Sequence, residues 1–163
     1  MNRFVIAAYV ENKYGVLTRV ASLFMRKGFN IDSLSVGETE SHEYSRITLT
    51  ASGDNATRDQ MVNQMQKLHN VKRVMVLDEN SSLERELMFV KVKNTPENRA
   101  EVMAASEIYR GKIVDYSPDT LCVELTGDPS KINAFVTLMK PLGIVELCRT
   151  GVVALERNRS ITA

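Results

Sequence analysis

The chain has 163 residues, 44% of them apolar and 25% charged, and a formal net charge of +1. That length holds one ordinary core or two small ones, and the composition is that of a globular protein. A charge so near zero argues against nucleic acid or an anionic membrane as a partner, and the short apolar run near the N-terminus reads as neither a signal peptide nor a membrane span.

Phe4 to Val10 is a continuous apolar, β-prone run, which predicts a buried strand. Polar Glu11-Asn12-Lys13-Tyr14-Gly15 interrupts it. From Val16 the period becomes helical: Val16, Leu17, Val20, Leu23 and Phe24 fall on one face. Arg26 and Lys27 suit the negative pole of the helix dipole, and Gly28 predicts the stop. Asn30 to Gly37 reads as a second strand, with Ile31, Leu34 and Val36 apolar. Tyr44 to Ala51 alternates as a half-exposed strand does. A second helix is predicted from about Thr57 to His69, burying Met61, Met65 and Leu68, and a strand from Val71 to Leu77. The order over residues 1–77 is βαββαβ, the ferredoxin-like arrangement.

Residues 78–83 are polar and predict a linker. The order then restarts over 84–163: a strand from Glu86 to Val92, a helix from Pro96 to Tyr109, a hairpin of Lys112–Tyr116 with Leu121–Leu125, a helix from Pro129 to Leu138, and a strand from Ile144 to Leu155. Arg3 to Asn12 resembles Arg85 to Asn94, and Lys27-Gly28 resembles Arg110-Gly111. An old duplication explains this, chance likeness between apolar strands being the alternative. The expected fold class is therefore α+β, with two ferredoxin-like βαββαβ modules.

Chemical motifs are scarce. No glycine-rich phosphate loop follows the first strand, and no serine sits in a nucleophile elbow. Cys122 and Cys148 lie in apolar runs without metal-ligand spacing, which predicts buried free thiols. His42 and His69 stand apart and read as solvated surface. Glu84 and Glu86 share a strand face, where solvation is the usual explanation. Nucleic-acid binding on a ferredoxin-like sheet needs stacking aromatics on the central strands. Those strands carry Tyr9 and Tyr44 but no ribonucleoprotein-type run, so no nucleic-acid partner is expected.

One constellation stands out, Asn12-Lys-Tyr-Gly15-Val16-Leu17 at the strand-to-helix junction, with Asn30-Ile31 opening the next strand. A helix N-terminus presents free N–H groups and suits a carboxylate. Gly15 permits close approach and an unusual φ. Asn12 and Asn30 offer neutral amides, while Val16, Leu17 and Ile31 offer apolar walls. A small aliphatic zwitterion needs those three features. The competing reading is that Asn12 merely caps the helix and Gly15 merely turns the chain.

Glu11-Asn12-x-x-Gly15-Val-Leu-x-Arg19-Val, then Arg26-Lys-Gly28-Phe-Asn30-Ile-x-Ser33-Leu, resembles the opening of an ACT domain. In the second half Tyr109-Arg-Gly-Lys-Ile-Val-Asp115, Glu124-Leu-Thr-Gly127 and Arg149-Thr-Gly151 narrow the resemblance to the small regulatory subunits of acetolactate synthase. The resemblance implies an ACT domain over 1–77 that senses an amino acid and a C-terminal small-subunit domain over 84–163. It implies a non-catalytic chain that activates a large catalytic subunit and confers feedback inhibition by valine or another branched-chain amino acid. Thiamine diphosphate, Mg²⁺ and FAD would belong to that partner and none to this chain. A cytoplasmic homodimer joined through its ACT domains is implied, with the effector on Asn12, Gly15 and Asn30 and, less directly, Val16, Leu17 and Ile31. A free-standing amino-acid sensor acting on another partner is the alternative. The effector's identity, the contacts with the catalytic subunit, the role of the second module and the holoenzyme stoichiometry do not follow from the sequence.

Overall fold

A computed structural model describes residues 2–158, 160 and 161. It divides into two compact units, one of residues 1–83 with 152–163 and one of residues 84–151.

The first unit opens with β1 (Asn2–Glu11), α1 (Val16–Lys27), β2 (Ser33–Glu38), β3 (Tyr44–Gly53), α2 (Asn55–Gln66) and β4 (Val71–Leu77). Its antiparallel sheet has the order β2-β3-β1-β4, so the apolar run read as a buried strand is central. Phe4, Ile6, Ala8 and Val10 pack under the helices with Val20, Leu23, Phe24, Met61 and Met65. The opposite side chains, Val5 and Ala7, are buried too, against Leu77, Val152, Ala154 and Ile161. Cover on both faces explains why β1 is apolar without alternation.

Residues 152–161 are the largest departure from expectation. The strand predicted from Ile144 to Leu155 is two strands, β8 (Ile144–Arg149) and β9 (Val153–Glu156). They are separated at Gly151, whose φ is 80°. The C-terminal segment from Val152 groups with the first unit rather than with the domain drawn over 84–163. Its anchors are the Arg46 guanidinium, which donates to the Ala154 carbonyl at 2.6 Å, and the Val152 N–H, which donates to Ser33 Oγ at 3.4 Å. Burial holds the Arg46 pKa below its ordinary value. The linker also ends early, because β5 (Ser82–Lys93) begins inside it.

The second unit contains most of β5, then α3 (Arg99–Ile108), β6 (Lys112–Tyr116), β7 (Thr120–Gly127), α4 (Pro129–Gly143) and β8. Its strands run β6-β7-β5-β8. Here β5 alternates: Met88, Val90 and Val92 face Phe135, Ile132 and Met139, while Phe89 is exposed. The repeat seen in the sequence has backbone counterparts. β1 shifts register against β4 between Tyr9 and Val10, and β5 against β8 between Lys91 and Val92. The turns after α1 and α3 both use a left-handed residue, Gly28 at φ 68° and Arg110 at φ 58°.

Three side-chain expectations are corrected. Cys148 is exposed and Cys122 half-buried. Paired across from Phe89 and Lys91, both occupy the face of the second sheet that lies away from the core. Burial still raises the Cys122 thiol pKa. Glu84 and Glu86 do share a face, but it is the buried one, at 9% and 3% exposure. Arg149 compensates Glu86 with a bidentate contact, its Nε at 3.3 Å from Oε1 and its Nη2 on Oε2, and also donates to Asn133 Oδ1 at 2.9 Å. The second helix begins two residues earlier and ends three earlier than expected, and the third is shorter at both ends. Asp54 caps α2 by accepting from Thr57 N, and Asn98 rather than Thr95 precedes α3.

Candidate functional site

The β1–α1 junction is built as the spacing suggests. Gly15 lies at φ 80°, ψ −5°, a left-handed conformation that costs glycine nothing, and its added Cβ would meet nothing within 4 Å. The glycine is therefore required by backbone conformation and not by crowding within the chain. Among the described residues no side chain caps α1, and its first turn holds no acid. Asp54 caps α2 and Asp128 caps α4, and each accepts from a first-turn N–H. At α1 that carboxylate position is open and carries the positive end of the helix dipole. The capping interpretation of Asn12 is therefore excluded.

Asn12 is committed elsewhere. Its Nδ2 donates to Glu38 Oε1 at 3.2 Å and to the His42 carbonyl at 3.0 Å. Its backbone N–H donates to the Glu43 carbonyl at 2.8 Å. Glu38 Oε2 in turn meets His42 Nδ1 at 2.8 Å. The amide thus ties the end of β1 to the far end of β2, with its Oδ1 acceptor left for other use.

Beneath the junction lies a polar clamp that sequence reasoning missed. Asn70, 6% exposed, accepts from Arg19 Nη1 at 2.5 Å and donates to Glu11 Oε2 at 2.8 Å. Glu11 also takes Lys72 at 2.7 Å and Lys13 at 3.1 Å. Hydrogen bonds from Lys72, then Asn70 and Lys13, hold the Glu11 carboxyl down at about 2. The chain segments before and after Gly15 are both fastened to the start of β4. Isolated polar residues in sequence gave no sign of it, because the partners are far apart along the chain.

The six singled-out residues do not form one group within a chain. Asn12, Gly15, Val16 and Leu17 sit at the N-terminal end of α1, whereas Asn30 and Ile31 follow its C-terminal end. Twelve helical residues separate them, a span of about 18 Å. Val16 is in the core at 4% exposure, Leu17 is exposed, and Ile31 packs partly on the core. Asn30 is exposed and makes a long contact of 3.4 Å with Asp32.

The counterpart loop of the second unit is closed by its own side chains. Asn98 Nδ2 donates to the carbonyls of Lys93 and Leu142, both at 2.9 Å, while its Oδ1 accepts from Thr95 N. Asn94 donates to the Ser117 carbonyl and accepts from Arg99 Nε.

Similarity to known proteins extends over nearly the whole chain. A family model described as the AHAS small subunit-like ACT domain matches residues 6–73, and one described as the small subunit of acetolactate synthase matches residues 85–158. The probable acetolactate synthase small subunit of Archaeoglobus fulgidus is 48% identical over 153 residues, covering 94% of this chain and 96% of that protein. The acetolactate synthase small subunit of Aquifex aeolicus is 46% identical, covering 99% and 84%. The crystal structure of the small subunit from Thermotoga maritima superposes with a TM-score of 0.89 at 38% identity, covering 98% of this chain and all of that one.

Proposed function

Because the chain belongs to the acetolactate synthase small-subunit family, we propose that it regulates a catalytic acetolactate synthase subunit and makes it sensitive to a branched-chain amino acid, valine first. The observation that carries this reading is the uncapped N-terminus of α1 beside Gly15 and Asn12. It pairs a donor region for a carboxylate with an acceptor for an ammonium group. Thiamine diphosphate, Mg²⁺ and FAD belong to the catalytic partner in this reading, and the complex is cytoplasmic.

The separation of Asn12 from Asn30 gives the effector a second task. β2 is an edge strand, and Leu34 and Val36 on it are exposed at 36% and 44%. An open, apolar edge is a natural pairing surface. Two copies joined antiparallel along β2 about a two-fold axis bring the start of one β2 to the end of the other. Asn30 of one copy then approaches the Glu38–Asn12 corner of the second. The effector site is composite, and binding favours the paired state by its differential affinity.

The test combines the purified chain with the host's catalytic subunit and follows acetolactate formation with and without valine, leucine and isoleucine. Stimulation by the chain together with inhibition by one of the three supports the reading. Failure of the chain to associate with the catalytic subunit contradicts it.

A further inference from the structure

We infer that Glu38 is the residue by which the effector site selects an amino acid over the 2-oxo acid of the same carbon skeleton. The inference rests on the proposed effector site and deepens it.

Both hydrogens of the Asn12 amide are used, by Glu38 Oε1 and by the His42 carbonyl. Two acceptors on one nitrogen fix the orientation of the amide, so Asn12 offers only Oδ1 to a ligand. Glu38 adds an acceptor-only carboxylate at the same corner, with its side chain 55% exposed and reachable. One side of the corner therefore accepts hydrogen bonds and carries negative charge. The other side, the N-terminus of α1, donates them and carries the positive end of the dipole.

A ligand that satisfies both sides needs an ammonium and a carboxylate on the same carbon. A 2-oxo acid keeps the carboxylate but puts a carbonyl oxygen where the ammonium stood. That oxygen meets Asn12 Oδ1 and the Glu38 carboxylate, whose oxygens already accept from Asn12 and stand against His42; acceptor faces acceptor, and Asn12 Oδ1 is left unpaired. Glu38 supplies this discrimination through charge, while the apolar neighbours can only measure the side chain.

The test is calorimetric titration of the full chain and of Glu38→Gln with valine and with 3-methyl-2-oxobutanoate. Glutamine keeps the acceptor for Asn12 and the shape, and removes the charge. The wild type is expected to bind valine and to leave the oxo acid unbound. Glu38→Gln is expected to weaken valine about tenfold, the order of a lost charge-assisted hydrogen bond, and to narrow the preference for valine over the oxo acid. Its circular dichroism is compared with that of the wild type, so that lost binding is separated from lost folding. A variant that binds valine within about twofold of wild type, with the same preference, overturns the role of Glu38 alone. A wild-type chain that binds no branched-chain amino acid overturns the effector site along with it.

Discussion

Asn70 and Glu11 bond each other twice, through the Asn70 Nδ2 to Glu11 Oε2 contact at 2.8 Å and the Glu11 N–H to Asn70 carbonyl contact at 2.9 Å. This pair closes the gap between β1 and β4 directly below the Gly15 junction. It gives the first unit a carboxylate whose contribution to stability depends on pH.

The sign follows from the pKa. Glu11 titrates near 2 in the folded chain, below its ordinary 4.5. A depressed carboxylate stabilises the fold above the unfolded value, and that contribution is lost as pH falls from about 4.5 towards 2. Thermal melts across this range should show the loss, and Glu11→Gln should flatten it. A variant whose acid limb matches the wild type would remove Glu11 as its source.

Gly15→Asp should yield a complex that assembles and is active but ignores valine. The new carboxylate occupies the position open to the effector's own and repels it. Gly15→Ala is the control: its Cβ has free space, so only the left-handed φ opposes it, by about 1 kcal/mol. Alanine should therefore impair valine response far less than aspartate in the same inhibition assay. Normal valine binding by Gly15→Asp would refute the glycine-loop site.

Valine should bind with a stoichiometry of one per chain. The second unit cannot repeat the site, since the acceptor that Asn12 keeps is spent there: Asn94 Oδ1 accepts from Arg99 Nε and Asn98 Oδ1 from Thr95 N. Pro96 removes a donor, and Glu97 would repel a carboxylate. Two equivalents per chain by calorimetry would contradict this.

Arg149→Ala should destabilise the second unit by about 3 kcal/mol, because Glu86, at 3% exposure, loses the partner that compensates its burial. Glu86→Leu in the same chain should recover much of the loss by replacing the orphaned carboxyl group with an apolar side chain. Urea unfolding of the single and double variants measures both changes.

Truncation after Gly151 should uncover Val5, Ala7 and Leu77 by removing Val152, Ala154 and Ile161. Three small-to-medium apolar contacts correspond to about 3 kcal/mol. The truncated chain should melt earlier and bind a hydrophobic dye. An unchanged melt would mean that the C-terminal segment adds nothing to the first unit.

Much of the architecture was legible in local pattern. The helical spacing from Val16 to Phe24 and the stop at Gly28 found α1, because side-chain periodicity and a left-handed cap are local properties. The likeness of Arg3–Asn12 to Arg85–Asn94 likewise pointed to strands that prove equivalent in both sheets. The break at Gly151 was less legible, since glycine in an apolar run fits a strand as well as a turn.

The effector residues divide along the same line. The sequence by itself determined that Asn12, Gly15, Val16 and Leu17 gather at one helix end, and it determined the family. Only the tertiary structure decided that Asn12 is held by Glu38 instead of capping α1, and that Asn70 closes the clamp. It also decided that Glu84 and Glu86 are buried while Cys148 is exposed. The physical reason is common to all of these. Period and turn chemistry act over a few residues, whereas burial and hydrogen-bond partners depend on which distant segments the sheet order brings together.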